Sequence, residues 1–227
     1  MNNNLTEIVI ILDRSGSMQN LTGDTIGGFN SFVEGQKKEE GEARLTAVLF
    51  DDKYEILHNG INIRNVPALT EKEYYARGMT AMLDAIGKTI NDIGERLSKT
   101  DENDRPGKVI FVITTDGMEN ASREFSKKQI KEIIERQQNI YNWTFLFLGA
   151  NIDSFSEAGS IGIAAPMVAN YDADSGGSQL MYASVSRAVM SSRRNQRMGI
   201  DAIDDDWADD LKQDKKDKTD KKDKKKK

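Results

Sequence analysis

The feature that most constrains the fold is a set of continuous apolar runs, rich in β-branched residues, separated by stretches with a helical period. The four clearest runs are EIVIIL (7–12), ARLTAVLF (43–50), KVIFVITT (108–115) and WTFLFLG (143–149). Such runs are expected of strands that are buried on both faces of a parallel sheet. A short strand, YEILHNG, precedes residues 61–66. A weaker one lies at 162–170, where Pro166 favours an edge strand or a strand start.

Helical periods fill the intervals between these runs. The clearest apolar stripe, with spacings of mostly three and four, consists of Met79, Met82, Leu83, Ile86, Ile90, Ile93 and Leu97. Shorter helices are predicted around residues 26–33 and 130–134, the latter with Ser126 as N-cap, and a last helix at 177–192. Because strands alternate with helices, the sequence predicts an α/β, doubly wound sheet.

Two of the predicted strands end in an aspartate. Asp13 follows the first apolar run, and Asp116 follows the run at 108–115. In a doubly wound sheet, ligands bind beyond the carboxyl ends of the strands, near the point where the strand order reverses. We therefore expect Asp13 and Asp116 to lie at the same end of the sheet.

The residues after the first strand offer only oxygen ligands. Asp13, Ser15 and Ser17 supply a carboxylate and two hydroxyls at alternate positions, and Gly16 permits a sharp bend between them. Hard divalent cations such as Mg²⁺ prefer oxygen ligands. By itself the stretch is equally well explained as a turn that caps the next helix. Asp116, together with Thr80 at the start of the amphipathic helix, favours the metal site.

Three separated elements, DRSGS (13–17), GMT (78–80) and TTDG (114–117), resemble the von Willebrand factor A (vWA) domain family in order and context. The resemblance covers residues 5–192 and is to a bacterial or phage-type intracellular member. It implies a Rossmann-like, mostly parallel six-stranded sheet with one short antiparallel edge strand. It also implies a metal-ion-dependent adhesion site, whose residues would be Asp13, Ser15, Ser17, Thr80 and Asp116. Many relatives have paired glycines before the threonine, where this chain has Arg77-Gly78-Met79.

Composition narrows the setting of the protein. The 227 residues include no cysteine, which excludes disulfides and thiolate metal sites, and His58 is the only histidine. The first residues lack a basic segment followed by an apolar one, and no apolar run approaches the ~20 residues that span a bilayer. We therefore expect a soluble, cytoplasmic protein with no membrane partner.

Charge is unevenly distributed along the chain. Residues 212–227 contain ten lysines and four aspartates, which gives this segment a charge of +6. Because the net charge of the whole chain is −5, residues 1–211 together carry a charge of −11. The sequence predicts a vWA-like domain at 1–195 and an acidic, then lysine-rich, disordered tail at 196–227. The tail is interpreted as a solvated extension, with a basic docking arm as the alternative. The acidity of the rest of the chain argues against nucleic acid as a partner.

The oxygen cluster is interpreted as a binding site. A haloacid-dehalogenase-type phosphotransferase needs a second acid where Ser15 stands, and neither a Gly-x-Ser-x-Gly elbow nor a phosphate-binding loop is present. His58 is predicted on an edge strand, far from Asp13. We therefore predict a non-enzymatic protein-interaction module.

Its cofactor would be Mg²⁺, with Mn²⁺ or Ca²⁺ as other candidates. An open position of the metal would bind an Asp or Glu carboxylate of a partner protein. Bacterial relatives often work beside ATPases of the AAA type, which makes such an ATPase a candidate partner. The alternative function is a metal-dependent hydrolase or phosphotransferase, and the oligomeric state is left open.

Residues bordering the cluster are given structural roles. Glu119 and Asn120 are interpreted as turn residues, with support of the metal shell as the alternative. The Tyr74-Tyr75 pair is expected to pack on a loop, with the lining of a partner groove at the rim of the site as the alternative. Asp51 and Asp52 are expected to end a strand rather than to bind metal. Asn151 and Asp153 would border the site, or Asp153 or Ser154 would cap a helix, which explains the stretch equally well.

Overall fold

A computed structural model of the chain describes the backbone of residues 1–224 and the side chains of residues 1–218. Six strands form one sheet in the order β3-β2-β1-β4-β5-β6. They are β1 (Asn2–Asp13), β2 (Glu42–Phe50), β3 (Tyr54–Asn62), β4 (Pro106–Thr115), β5 (Thr144–Gly149) and β6 (Val168–Asn170). All neighbouring pairs are parallel except β2 and β3, so β3 is an antiparallel edge strand. The predicted doubly wound, mostly parallel sheet is confirmed.

Helices cover both faces of the sheet. They are α1 (Thr22–Lys38), α2 (Met82–Ser98), α3 (Lys127–Tyr141), α4 (Ser154–Ser160), α5 (Ser175–Arg197) and α6 (Asp209–Lys224). Ser126 caps α3 as predicted, in a reciprocal capping box with Gln129. The predicted stripe of α2 is buried except at its ends. Met79 precedes the helix and is 52 % exposed. No helix within residues 1–224 combines the length and the apolar character needed to cross a bilayer.

The central strands separate two apolar cores. Ile8, Ile10 and Leu12 of β1 pack into the core that includes α1 and α5 residues, whereas Val9 and Ile11 pack into the core beneath α2 and α3. All five are buried, because alternate side chains of a central strand point to opposite covered faces.

The strand order reverses at β1, which lies between β2 and β4. Leu12 of β1 pairs with Thr114 of β4, so Asp13 and Asp116 leave the same edge of the sheet. This edge is the topological switch point, where open α/β sheets bind their ligands. His58 lies on β3, opposite Ala47, at the far margin of the sheet.

The C-terminal segment differs from the expectation of a disordered tail. The expected domain boundary after residue 195 falls within the last turn of α5. The prediction of disorder is wrong for residues 203–211, whose apolar side chains pack on the domain. Trp207 is buried and its Nε1 donates a hydrogen bond to the carbonyl of Pro166 (3.0 Å). Leu211 is buried one turn later, so the few apolar residues of this acidic stretch meet the core beside β6. Residues 225–227 of the predicted tail lie outside the described part of the chain.

Deleting residues 212–227 should lower the free energy of unfolding by no more than about 1 kcal/mol. The deletion keeps Trp207 and Leu211 and removes exposed ion pairs, such as that between Lys218 and Asp172 (2.7 Å). Chemical denaturation of the two proteins measures the difference. A much larger loss would mean that the lysine-rich part of α6 helps to hold the domain together.

Candidate metal-binding site

Asp13 is fixed at the end of β1 by hydrogen bonds to both carboxylate oxygens. Its Oδ1 accepts from the backbone N–H of Ser15 (2.7 Å), and its Oδ2 accepts from the hydroxyl of Thr115 (2.6 Å). The hydroxyl of Tyr74 donates to its carbonyl oxygen (2.6 Å). Asp13 is 1 % exposed, so a charge at this site is held in a buried, fully oriented carboxylate.

A chain of oxygen atoms connects the loop after β1 to the end of β4. The hydroxyls of Ser15 and Ser17 are 3.1 Å apart, and the Ser17 hydroxyl donates to Oδ1 of Asp116 (2.5 Å). Ser17 is exposed, whereas Ser15 and Asp116 are buried. The structure therefore places these predicted residues in one cluster that opens to solvent at Ser17.

Thr80 lies at the same cluster. A Cβ atom added to Gly117 would stand 3.3 Å from the Ser17 hydroxyl and 3.4 Å from the Thr80 hydroxyl, so both hydroxyls flank one point. Gly78, two residues before Thr80, adopts a φ of +68°, and a Cβ there would overlap Asp52. Glycine is required at that position for two reasons. Residues with a side chain rarely adopt a positive φ, and a side chain here would collide with Asp52.

Two residues interpreted mainly as turn formers also support this loop. Asn120 accepts a hydrogen bond from the backbone N–H of Thr80 (2.9 Å) and returns one to its carbonyl (3.0 Å). Glu119 accepts from the backbone N–H of Leu83 in the first turn of α2 (2.9 Å). The turn interpretation was therefore incomplete, because Asn120 holds the backbone of a candidate ligand.

The two carboxylates have raised pKa values. Burial raises the pKa of Asp13 from 3.8 to about 6, against the lowering effect of its hydrogen bonds with Thr115 and Ser15, and the nearby charge of Asp116 adds to the rise. Burial also raises the pKa of Asp116, partly offset by its hydrogen bond from Ser17. The folded protein thus holds two negative charges in a site that disfavours them.

The donor set fits a hard divalent cation. Two carboxylates and three hydroxyls converge without nitrogen or sulfur ligands, as Mg²⁺ prefers. No group of three His, Cys, Asp or Glu side chains placed to hold a metal occurs among the described residues, so hydroxyls and water would complete any shell here. Asp13, Ser15, Ser17, Thr80 and Asp116 would hold the ion, whose charge would offset the cost of burying both carboxylates.

Residues around the cluster were only partly anticipated. Thr115 orients Asp13 by donating a hydrogen bond to its Oδ2, and its place on the strand beside the end of β1 is the sequence signal for this role. Tyr74 packs as expected and also bonds Asp13. Asp51 ends a strand as expected, but it also binds the guanidinium groups of Arg14 and Arg77.

A cleft of about 580 Å³ adjoins the cluster on the side of β5 and β6. Met118, which follows Gly117, lines it together with Asn151, Asp153 and Tyr171. Asp153 also caps α4 by accepting a hydrogen bond from the backbone N–H of Ser156 (3.1 Å). The capping role expected of Asp153 is therefore confirmed, and its side chain also lines the neighbouring cleft.

Comparison with family models and with curated proteins finds no match. Solved structures do match, at low sequence identity. Manganese-loaded TRAP protein from Plasmodium vivax has a TM-score of 0.57 at 18 % identity, covering 79 % of this chain and 73 % of that one. Proximal thread matrix protein 1 from the mussel byssus, with a zinc-occupied MIDAS motif, has a TM-score of 0.57 at 15 % identity, covering 82 % and 46 %.

A third match is the von Willebrand factor type A protein from Catenulispora acidiphila, with a TM-score of 0.52 at 15 % identity, covering 82 % of this chain and 42 % of that one. The chain thus spans less than half the length of the mussel and Catenulispora chains. At these identities the likeness establishes the fold alone. Strand order, the antiparallel edge strand and these matches agree that the chain has the von Willebrand factor A fold.

Proposed function

We propose that the chain is a metal-dependent protein-interaction module that binds an Asp or Glu carboxylate of a partner protein through Mg²⁺ at the sheet's carboxyl edge. The observation that carries this proposal is the convergence of Asp13, Ser15, Ser17, Thr80 and Asp116 at the switch point. A divalent cation held there would offer a free coordination position to an outside oxygen. The manganese and zinc named for two structural relatives support a divalent ion in this fold.

The surface around the cluster favours a protein as the ligand. Four exposed large apolar side chains lie on loops or helix starts at this end of the molecule: Tyr75, Met79, Met118 and Phe155. Met79 directly precedes Thr80, and Met118 directly follows Gly117, so two of the loops that carry the site also carry an exposed methionine. Apolar side chains around a polar centre are typical of protein-binding surfaces, and methionine adapts to varied partners.

Binding is favoured over the hydrolase or phosphotransferase alternative. Asp13 has the raised pKa of a possible base, but it is buried and both of its oxygens accept hydrogen bonds from Ser15 and Thr115. His58 lies on the far edge strand. Neither Asp13 nor His58 is therefore a free group positioned to relay protons at the site. Turnover of phosphate or ester substrates that Asp13→Ala abolishes would contradict the proposal.

Affinity capture from the native cell tests the proposed function. The immobilised chain should retain a partner in Mg²⁺, the chelator EDTA should release it, and Asp116→Asn should retain much less. An excess of a Leu-Glu-Leu peptide should compete with the partner, whereas Leu-Gln-Leu should not, because the uncharged amide binds Mg²⁺ more weakly.

The matched control is Glu7→Gln. Glu7 is another buried carboxylate of β1, but it pairs with Arg96 and Thr46 on the body of the sheet. Its variant should capture the partner as the wild type does. Capture that survives EDTA, or that both peptides suppress equally, would count against a metal-held carboxylate.

A further inference from the structure

A network of two arginines and two acids, Arg14, Arg77, Asp51 and Glu55, lies beneath the loops that carry the candidate ligands. Asp51 is fully buried, and its Oδ2 accepts hydrogen bonds from Nε of Arg14 (3.0 Å) and from Nε of Arg77 (2.6 Å). Nη2 of Arg14 also donates to Glu55 (2.7 Å). One carboxylate oxygen thus joins two guanidinium groups from different parts of the chain.

Each arm of this network belongs to a loop of the candidate site. Arg14 stands between Asp13 and Ser15, and its side chain is fully buried. Arg77 stands three residues before Thr80, and its hydroxyl partner is Tyr75 (2.8 Å). The network therefore spans the two ligand-bearing loops without supplying a ligand itself.

Backbone hydrogen bonds follow the same path. The N–H of Arg77 donates to the carbonyl of Arg14 (2.8 Å), and the N–H of Gly16 donates to the carbonyl of Gly78 (3.1 Å). The N–H of Ala81, next to Thr80, donates to the carbonyl of Asp51 (2.9 Å). These three hydrogen bonds join segments that are far apart in sequence, and each of them involves a residue directly next to Ser15, Ser17 or Thr80.

We infer that Arg77 is a positioning residue of the metal site, which sets the place of Thr80 relative to Ser15 and Ser17 through its ion pair with Asp51. This inference rests on the proposed metal site. Gly78 supplies the left-handed turn between Arg77 and Thr80, so the ion pair of Arg77 fixes the loop directly before that turn. Groups that orient metal ligands affect affinity although they do not touch the ion.

The chain offers a matched control in a second arginine–acid pair. Arg96 pairs with the fully buried Glu7 at 2.7 Å, and Arg77 pairs with the fully buried Asp51 at 2.6 Å. The two arginine side chains are 25 % and 33 % exposed. Glu7 lies six residues before Asp13 on β1, about 20 Å along the strand. Asp51 keeps its pair with Arg14 when Arg77 is changed, whereas Glu7 loses its cation when Arg96 is changed, so the control should cost at least as much stability. Only the Arg77 pair contacts the site loops.

The experiment compares Arg77→Gln with Arg96→Gln in the full-length chain. Mn²⁺ affinity, read from the electron paramagnetic resonance signal of free Mn²⁺, should fall about 10-fold or more in Arg77→Gln and less than 2-fold in Arg96→Gln. Arg77→Lys, which keeps the charge but not the planar guanidinium, should be intermediate. The Arg14–Asp51 pair remains in all three variants, so the fold keeps its fully buried ion pair.

Hydrogen exchange in chelator gives a readout that needs no metal. The amides of Thr80 and Ala81 should exchange faster in Arg77→Gln than in the wild type, and at wild-type rates in Arg96→Gln. Equal Mn²⁺ affinities, or equal losses in both glutamine variants, would overturn the inference. If the wild type bound no Mn²⁺, the proposed function would fail, while unchanged exchange at residues 80–81 would separately refute the positioning role.

Discussion

Asp13→Ala should weaken divalent-ion binding by more than about 100-fold, because outer groups that merely orient ligands already cost about 10–100-fold when they are removed. Asp13 supplies one of the two charges of the site, and neutral hydroxyls cannot replace it. Its side chain is buried, so Asp13→Asn, which keeps the shape and removes only the charge, should lose nearly as much affinity. Calorimetric titration with Mg²⁺ and Mn²⁺ measures both variants.

Hydroxyl variants and a remote carboxylate variant calibrate that result. Ser15→Ala and Ser17→Ala should weaken binding less than Asp13→Ala, since each removes a neutral donor. Asp116→Asn should again weaken it strongly. Glu7→Gln removes an equally buried charge from the same strand, away from the cluster, and should leave the affinity unchanged. Wild-type affinity in Asp13→Asn would place any bound metal elsewhere in the chain.

The ligand-bearing part of this site could be predicted because it follows from strand patterns. Asp13 and Asp116 end runs whose burial on both faces requires a parallel sheet, and parallel strands bring their carboxyl ends to one edge. Thr80 lies before the most regular amphipathic helix of the chain. Each prediction used a local pattern together with one rule of topology.

The supporting contacts could not be predicted in this way. Asp51 and Arg77 meet only because the end of β2 and the loop before α2 approach each other, and no sequence period describes either segment. The pair Asp51-Asp52 reads as an ordinary strand end. Which acid turns inward depends on the buried guanidinium of Arg14, a contact that requires the folded loops.

Average composition also gave a wrong prediction, disorder, for residues 203–211 near the C-terminal end. The stretch around Trp207 is so acidic that its composition predicts disorder, yet Trp207 and Leu211, four residues apart, are both buried. Trp207 bonds the carbonyl of Pro166, two residues before the short edge strand β6, and sheet edges of this kind need protection. This stretch packs on the domain because of the positions of its few apolar residues, rather than because of their number.

Magnesium should raise the melting temperature of the wild-type protein. An ion that binds only the folded form stabilises it by about 2.7 kcal/mol at a hundredfold excess over its Kd. The double variant Asp13→Asn, Asp116→Asn should hardly respond, because it lacks both charges. In chelator at pH 7 the double variant should melt higher than the wild type, since its site holds no buried negative charge. Equal Mg²⁺ shifts in the two proteins would indicate general screening and refute the site.

The difference in stability between wild type and double variant should also depend on pH. The folded-state pKa of Asp13 is about 6, above its usual 3.8, so between these values the folded protein binds more protons than the unfolded chain. Stability of the metal-free wild type relative to the variant therefore falls as pH rises from 3.8 through 6, by about 3 kcal/mol for Asp13. The raised pKa of Asp116 acts in the same direction.

Mg²⁺ should reverse this trend, because the ion binds the ionised carboxylates and must displace the proton of Asp13 at acidic pH. The Mg²⁺-induced rise in melting temperature should thus be small at pH 5 and large at pH 7.5. Scanning calorimetry of both proteins, with Mg²⁺ and with EDTA at each pH, provides the measurement. A rise in wild-type stability relative to the variant between pH 4 and 7 in EDTA would show that Asp13 is not the strained, buried acid that the structure describes.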